Sequence, residues 1–201
     1  MDDDEHKIIV KRRYCRRHIC IESKYYTFNQ IKFMLNNIVS LNINRSDFTS
    51  IPFLPNRLES LLCCYNKLSV LPPLPQTLKI LYCSHNNLDE LPELPKSLTE
   101  LFCSHNKLKK LQPLPPNLIQ LSCSNNQLEI IISFPDTLLA VDCHHNNLEL
   151  LPSLPPNLMD ISCDNNKLAL LPHIHSNISR ISFLNNNFIQ SYEYNYIAKF
   201  M

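Results

Sequence analysis

LYCSHNNLDELPELP begins at Leu81, LFCSHNKLKKLQPLP begins twenty residues later at Leu101, and the same frame fits residues 41–190 eight times. A period this short constrains the fold more than any composition does. One copy cannot bury a core alone, so neighbouring copies must stack. The consensus is L-x-C-x-x-N-x-L-x-x-L-P-x-L-P-x-x-L-x-x. One apolar column runs Leu41, Leu61, Leu81, Leu101, Leu121, Val141, Ile161 and Ile181. A second runs from Leu68 to Leu168 and is closed by Phe48 and Phe188. An asparagine column runs Asn66, Asn86, Asn106, Asn126, Asn146, Asn166 and Asn186, with Ser46 ahead of it.

Residue chemistry assigns a shape to each part. In L-x-C the two side chains share one face of a strand, and both are expected to be buried. The asparagine that follows tolerates a tight turn, and its amide can bond neighbouring backbone, so repetition should build a ladder. The chain contains no glycine, which leaves asparagine as its best turn residue. Missing glycine, missing tryptophan and only three alanines point to an AT-rich genome. Proline breaks that bias with 15 copies, all between Pro52 and Pro172. L-P-x-L-P cannot be a helix interior, so it should return as extended backbone.

Cys83-Ser84-His85 has the look of chemistry. The cysteine column, Cys63, Cys83, Cys103, Cys123, Cys143 and Cys163, is nevertheless occupied by Ile43 and Phe183 at its two ends. A slot that takes Ile and Phe is a core slot, and free cysteine behaves as a small apolar side chain. In-register parallel strands hold such side chains too far apart for a disulfide, and a thiolate ladder would bury several charges. Ser84 and Ser104 lack an orienting base and an oxyanion site. We expect no enzyme, no cofactor and no metal site.

The motif L-x-x-L-x-C-x-x-N-x-L resembles that of the leucine-rich repeat family, with cysteine where the family has leucine. The twenty-residue period and L-P-x-L-P are similar to the short repeats of secreted bacterial effectors and of proteins from large AT-rich DNA viruses. The resemblance implies a repeat solenoid: a leucine-rich repeat arc with a parallel β-sheet on the concave face and an extended, irregular convex side. It also implies protein binding. Some effectors join such repeats to a ubiquitin-ligase domain. With Met201 only about one repeat beyond the last consensus asparagine, no such domain is expected here. A substrate receptor for a ligase assembly is an alternative.

Residues 1–40 should be a basic segment and capping helix, 41–190 the eight repeats, and 191–201 a capping tail. Phe28, Ile31, Met34, Leu35 and Ile38 fall at helical spacing behind Thr27, which predicts a short helix over the first repeat. Lys11, Arg12, Arg13, Arg16 and Arg17 could contact nucleic acid or direct nuclear import, but Asp2, Asp3, Asp4 and Glu5 lie nearby and a solvated basic strand or turn is preferred. Net charge is +1, so bulk electrostatics selects no partner. No secretory leader and no apolar run of ~20 residues is present, so a cytoplasmic monomer without membrane contact is expected.

Specificity should lie in columns that are free of the consensus. Leu62, Tyr65, Tyr82 and Phe102 form an apolar and aromatic stripe bordered by His85 and His105, while later repeats place Asp142, His144, His145, Asp160 and Asp164 outward. Clustered exposed aromatics on a rigid sheet have the composition of a protein-binding hot spot. These six early residues are the candidate site of a non-catalytic interaction module.

Overall fold

The computed structural model describes residues 7–11, 18–24 and 37–188, with side chains from residue 37 onward. Among them, ten strands lie in one sheet in chain order: β1 Lys7–Lys11, β2 His18–Lys24, β3 Ser40–Asn42, β4 Ser60–Leu62, β5 Ile80–Tyr82, β6 Glu100–Phe102, β7 Gln120–Ser122, β8 Ala140–Asp142, β9 Asp160–Ser162 and β10 Arg180–Ser182. From β3 onward every strand pairs in parallel with the one twenty residues on: Leu61 with Leu81, Leu81 with Leu101, Leu101 with Leu121.

Each strand from β3 to β9 buries its middle residue, while Ile181 of β10, at the end of the described stack, is half-buried. Leu41, Leu61, Leu81 and Leu101 are fully enclosed, as are Cys63, Cys83, Cys103, Cys123 and Cys143 two positions on. The leucines Leu68 to Leu168 and Leu58 to Leu158 complete one continuous core. Each fully buried leucine contributes roughly 1.5–3 kcal/mol of gross transfer energy, so stacking supplies what a single copy cannot.

The asparagine column ties the stack together. Asn86 Oδ1 accepts from the Leu68 N–H of the preceding repeat at 3.0 Å, while Nδ2 donates to Cys63 O at 2.9 Å and Cys83 O at 3.0 Å. Asn106, Asn126, Asn146 and Asn166 repeat this pattern. The tight turn itself is one residue earlier. Tyr65, His85, His105, Asn125, His145, Asn165 and Asn185 all have φ between 52° and 57°, the left-handed region normally left to glycine or asparagine.

On the return side the P-x-x-L segment closes a turn, Leu78 N–H donating to Pro75 O at 3.0 Å. A second ladder runs here. Thr77 Oγ1 donates to Leu58 O at 2.8 Å, Ser97 Oγ to Leu78 O at 2.6 Å and Thr137 Oγ1 to Leu118 O at 2.7 Å. This column of short polar side chains is visible in the sequence once its partners are known.

The expected N-terminal helical cap is corrected. No helix occurs among the described residues, and Ile38, the last position of the expected helix, is buried in non-helical backbone next to β3; residues 27–36 lie outside the described residues. The sheet is instead continued by a hairpin: β2 pairs in parallel with β3, Ile19 opposite Leu41, and β1 pairs antiparallel with β2. An open sheet edge presents unpaired N–H and C=O groups. The β-branched runs KIIVK and HICIESK suit strand pairing there. The expected capping tail, residues 191–201, lies outside the described residues.

Candidate functional site

The strands set the candidate residues in two rows. Leu62, Tyr82 and Phe102 are the third residues of β4, β5 and β6 and stand opposite one another in register. In-register parallel strands place such side chains ~4.8 Å apart, and the rings of Tyr82 and Phe102 accordingly stack face to face, centroids 4.4 Å apart and planes within 5°. The Tyr82 hydroxyl donates to Glu100 Oε2, and burial, followed by this bond, pushes the phenol pKa up to about 12. All three side chains are half-buried.

Tyr65, His85 and His105 form the second row, at the left-handed turn. Tyr65 stacks on His85 and His85 on His105, each at 4.1 Å. The Arg45 guanidinium lies 4.9 Å from the Tyr65 ring centre and extends the row by one repeat. Tyr65 therefore belongs with the histidines rather than with Leu62. Burial, and then the neighbouring His105, lowers the His85 pKa. A bulky residue at φ 57° is costly by about 1–2 kcal/mol, where later repeats place Asn125, Asn165 and Asn185. The backbone would favour asparagine at position 65.

Between the rows lie Ser104 and Ser124, which strand alternation continued from Phe102 and Ser122 would turn outward. Both are buried. The strand ends at Phe102, so alternation no longer governs Ser104. Ser104 Oγ lies 2.7 Å from Ser122 Oγ, receives a bond from Ser124 Oγ at 3.0 Å, and its N–H donates to Ser84 Oγ at 3.1 Å. These hydroxyls bind one another and backbone, and the chain ends on Asp142, whose Oδ2 accepts from Ser122 Oγ at 3.3 Å.

Later repeats carry paired charges. Asp142 Oδ1 lies 2.5 Å from His144 Nδ1, and His144 meets His145 edge to face at 5.3 Å. Asp160 holds Arg180 through both oxygens at 2.7 and 2.8 Å, a contact that lowers the Asp160 pKa. Asp164 accepts from Ser182 Oγ at 2.7 Å. Among the described residues no group of three His, Cys, Asp or Glu is placed to hold a metal ion, and the stacked rings of His85 and His105 lie parallel instead of converging on a point. The column cysteines sit in the core with their pKa values raised by burial. Lys11 ends β1; Arg12, Arg13, Arg16 and Arg17 lie outside the described residues.

Comparison with known proteins places this geometry. A family model for leucine-rich repeats (two copies) matches residues 76–116. YopM from Yersinia enterocolitica WA-314 is 32% identical over 75% of this chain and 38% of its own, with a TM-score of 0.62. A leucine-rich effector protein, YopM from Yersinia pestis, is 37% identical over 75% of this chain and 44% of its own, with a TM-score of 0.70. The chain thus spans less than half of either YopM chain. A Shigella effector leucine-rich repeat domain is 32% identical, with 81% of this chain and 75% of that domain covered and a TM-score of 0.70. Comparison with curated protein sequences gives no match. Sequence identity and fold agree with these relatives, and the chain belongs to the leucine-rich repeat family, homologous to the repeats of bacterial effectors.

Proposed function

We propose that the chain is a protein-binding module whose partner docks on the sheet face of the arc, over Leu62, Tyr82 and Phe102, with Tyr65, His85 and His105 at the rim. The observation that carries this reading is the pair of stacked aromatic rows. Each row is rigid, because its rings are fixed to adjacent strands or turns, and little side-chain entropy remains to be lost on binding. The strained backbone under Tyr65 supports a role for that ring beyond folding. The likeness to two proteins described as effectors supports action in the cytoplasm, and specifically that of a host cell. No described helix is long and apolar enough to cross a membrane.

The test is capture of a partner from the relevant cell by proximity labelling, wild type against the Tyr82→Ala, Phe102→Ala double variant. Two central aromatic anchors are together expected to cost at least about 2 kcal/mol, roughly 30-fold in affinity. Because both rings are only half-buried, the melting temperature should fall by no more than a few degrees. A large loss of stability with unchanged capture would refute the assignment.

A further inference from the structure

We propose that the recess beyond Phe102 receives an arginine side chain of the protein partner, an inference that rests on the sheet-face reading above and names the chemistry of what that face holds. The recess measures about 360 Å³ and runs along the sheet from Phe102 to Arg180. That volume is at the lower end for small-ligand sites, ~300–1,000 Å³, and suits one long side chain better than a helix. It exists because Ser122, Ala140 and Ser162 are small where earlier strands carry Ile80, Tyr82 and Phe102.

Its walls define the occupant. Tyr82 covers one face of the Phe102 ring. The other face is turned towards Ser122 on the next strand, whose short side chain leaves it open to the recess. A planar guanidinium stacks well on such a face. One strand further on, Asp142 Oδ1 is taken by His144, whereas Oδ2 receives only a long bond of 3.3 Å from Ser122 Oγ. A carboxylate offers about four lone-pair sites, so Asp142 has acceptor capacity left.

The far wall shows that this surface accommodates the same group. Asp160 already binds the protein's own Arg180 guanidinium as a two-pronged fork. Charge selects in the same direction. Asp142 and Asp160 line the recess against one lining cation, Arg180, which Asp160 already holds. An anionic side chain would meet net repulsion, and an aliphatic one would desolvate Asp142 without pairing it.

The test is an NMR titration of the full chain with acetyl-arginine-amide, using acetyl-citrulline-amide as its neutral isostere and acetyl-lysine-amide as a cation without the planar fork. Arginine is expected to shift the Ser122 and Asp142 amides and the Phe102 ring signals, to bind about tenfold or more tightly than citrulline, and to lose that advantage in Asp142→Asn. Shifts that are equal for arginine and citrulline, that arise elsewhere, or that are absent would overturn the proposal. Lysine binding as tightly as arginine would overturn it as well. Leu62 lies outside the recess, so Leu62→Asp separates this idea from the broader reading: that variant should abolish partner capture and leave the arginine titration unchanged. Capture that survives Leu62→Asp sinks the sheet-face reading, whereas a failed titration sinks only the recess.

Discussion

Replacing Asn86 with alanine tests whether the asparagine column holds the repeats together. In the wild type, Asn86 bonds backbone of two repeats at once. After truncation Cys63 O keeps the Asn66 amide at 3.0 Å and Cys83 O keeps the Asn106 amide at 3.1 Å, so neither carbonyl is orphaned. The Leu68 N–H loses Asn86 Oδ1 and is left in a fully buried leucine. An orphaned buried donor costs about 1–3 kcal/mol, and the lost amide bonds add about another 1 kcal/mol. The expected destabilisation is therefore about 2–4 kcal/mol, measured by urea denaturation followed by circular dichroism. Exposed Asn87 is the neighbouring control, and its alanine variant should stay within about 0.5 kcal/mol of wild type.

Asn86→Asp sharpens the test. It keeps an acceptor for Leu68 but turns a carboxylate oxygen towards the Cys63 and Cys83 carbonyls, so it should be at least as damaging as alanine at neutral pH. Burial and those carbonyls raise the carboxyl pKa in the folded state. The folded chain then binds a proton that the unfolded chain does not, and the deficit should shrink as pH falls. An Asn86→Ala loss below about 0.5 kcal/mol, or an Asp variant insensitive to pH, would refute the ladder argument.

Native-state alkylation read by mass spectrometry should modify Cys64 well before its neighbour Cys63, because Cys63 is fully enclosed with its pKa raised chiefly by burial, whereas Cys64 is half-buried; equal labelling would contradict the core assignment. The His85 pKa is depressed in the fold from 6.5, so the unfolded chain binds the proton more readily. Stability should accordingly be full above that value and decline as pH falls through the lower folded pKa, visible in thermal melts between about pH 7 and about pH 5 and reduced in His85→Asn. Tyr65→Asn should relieve backbone strain while breaking the stack between Arg45 and His85, so its melting temperature should change little while partner affinity falls; a clear loss of stability would show that the stack contributes more to the fold than the strained φ removes.

The period made the arc legible because each leucine, cysteine and asparagine column repeats one environment, and the environment could be read from its tolerances: a slot filled by Cys63 and also by Ile43 is apolar and enclosed. The left-handed turn was harder to see. Position 65 and its equivalents hold Tyr, His and Asn alike, and asparagine's φ preference pointed one residue too late. At the N-terminus, the β-branched runs on either side of Arg12 to Arg17 carried the strand signal that a reading centred on the helical spacing of TFNQIKFMLNNI passed over, and the hydrogen-bonding demand of an open sheet edge favours strands next to β3. The recess escaped notice for another reason. It is made by missing bulk at Ser122, Ala140 and Ser162, and a gap has no residue type to announce it.

A partner that docks as proposed must occupy the sheet face of the arc. Site-specific photocrosslinking tests it most directly, with benzoylphenylalanine placed at Leu62 on the sheet face or at Ile132, which is 72% exposed on the return side. A covalent adduct to one partner is expected from position 62, with none to that partner from position 132. An adduct from position 132 alone would place binding on the return side and contradict the proposed docking.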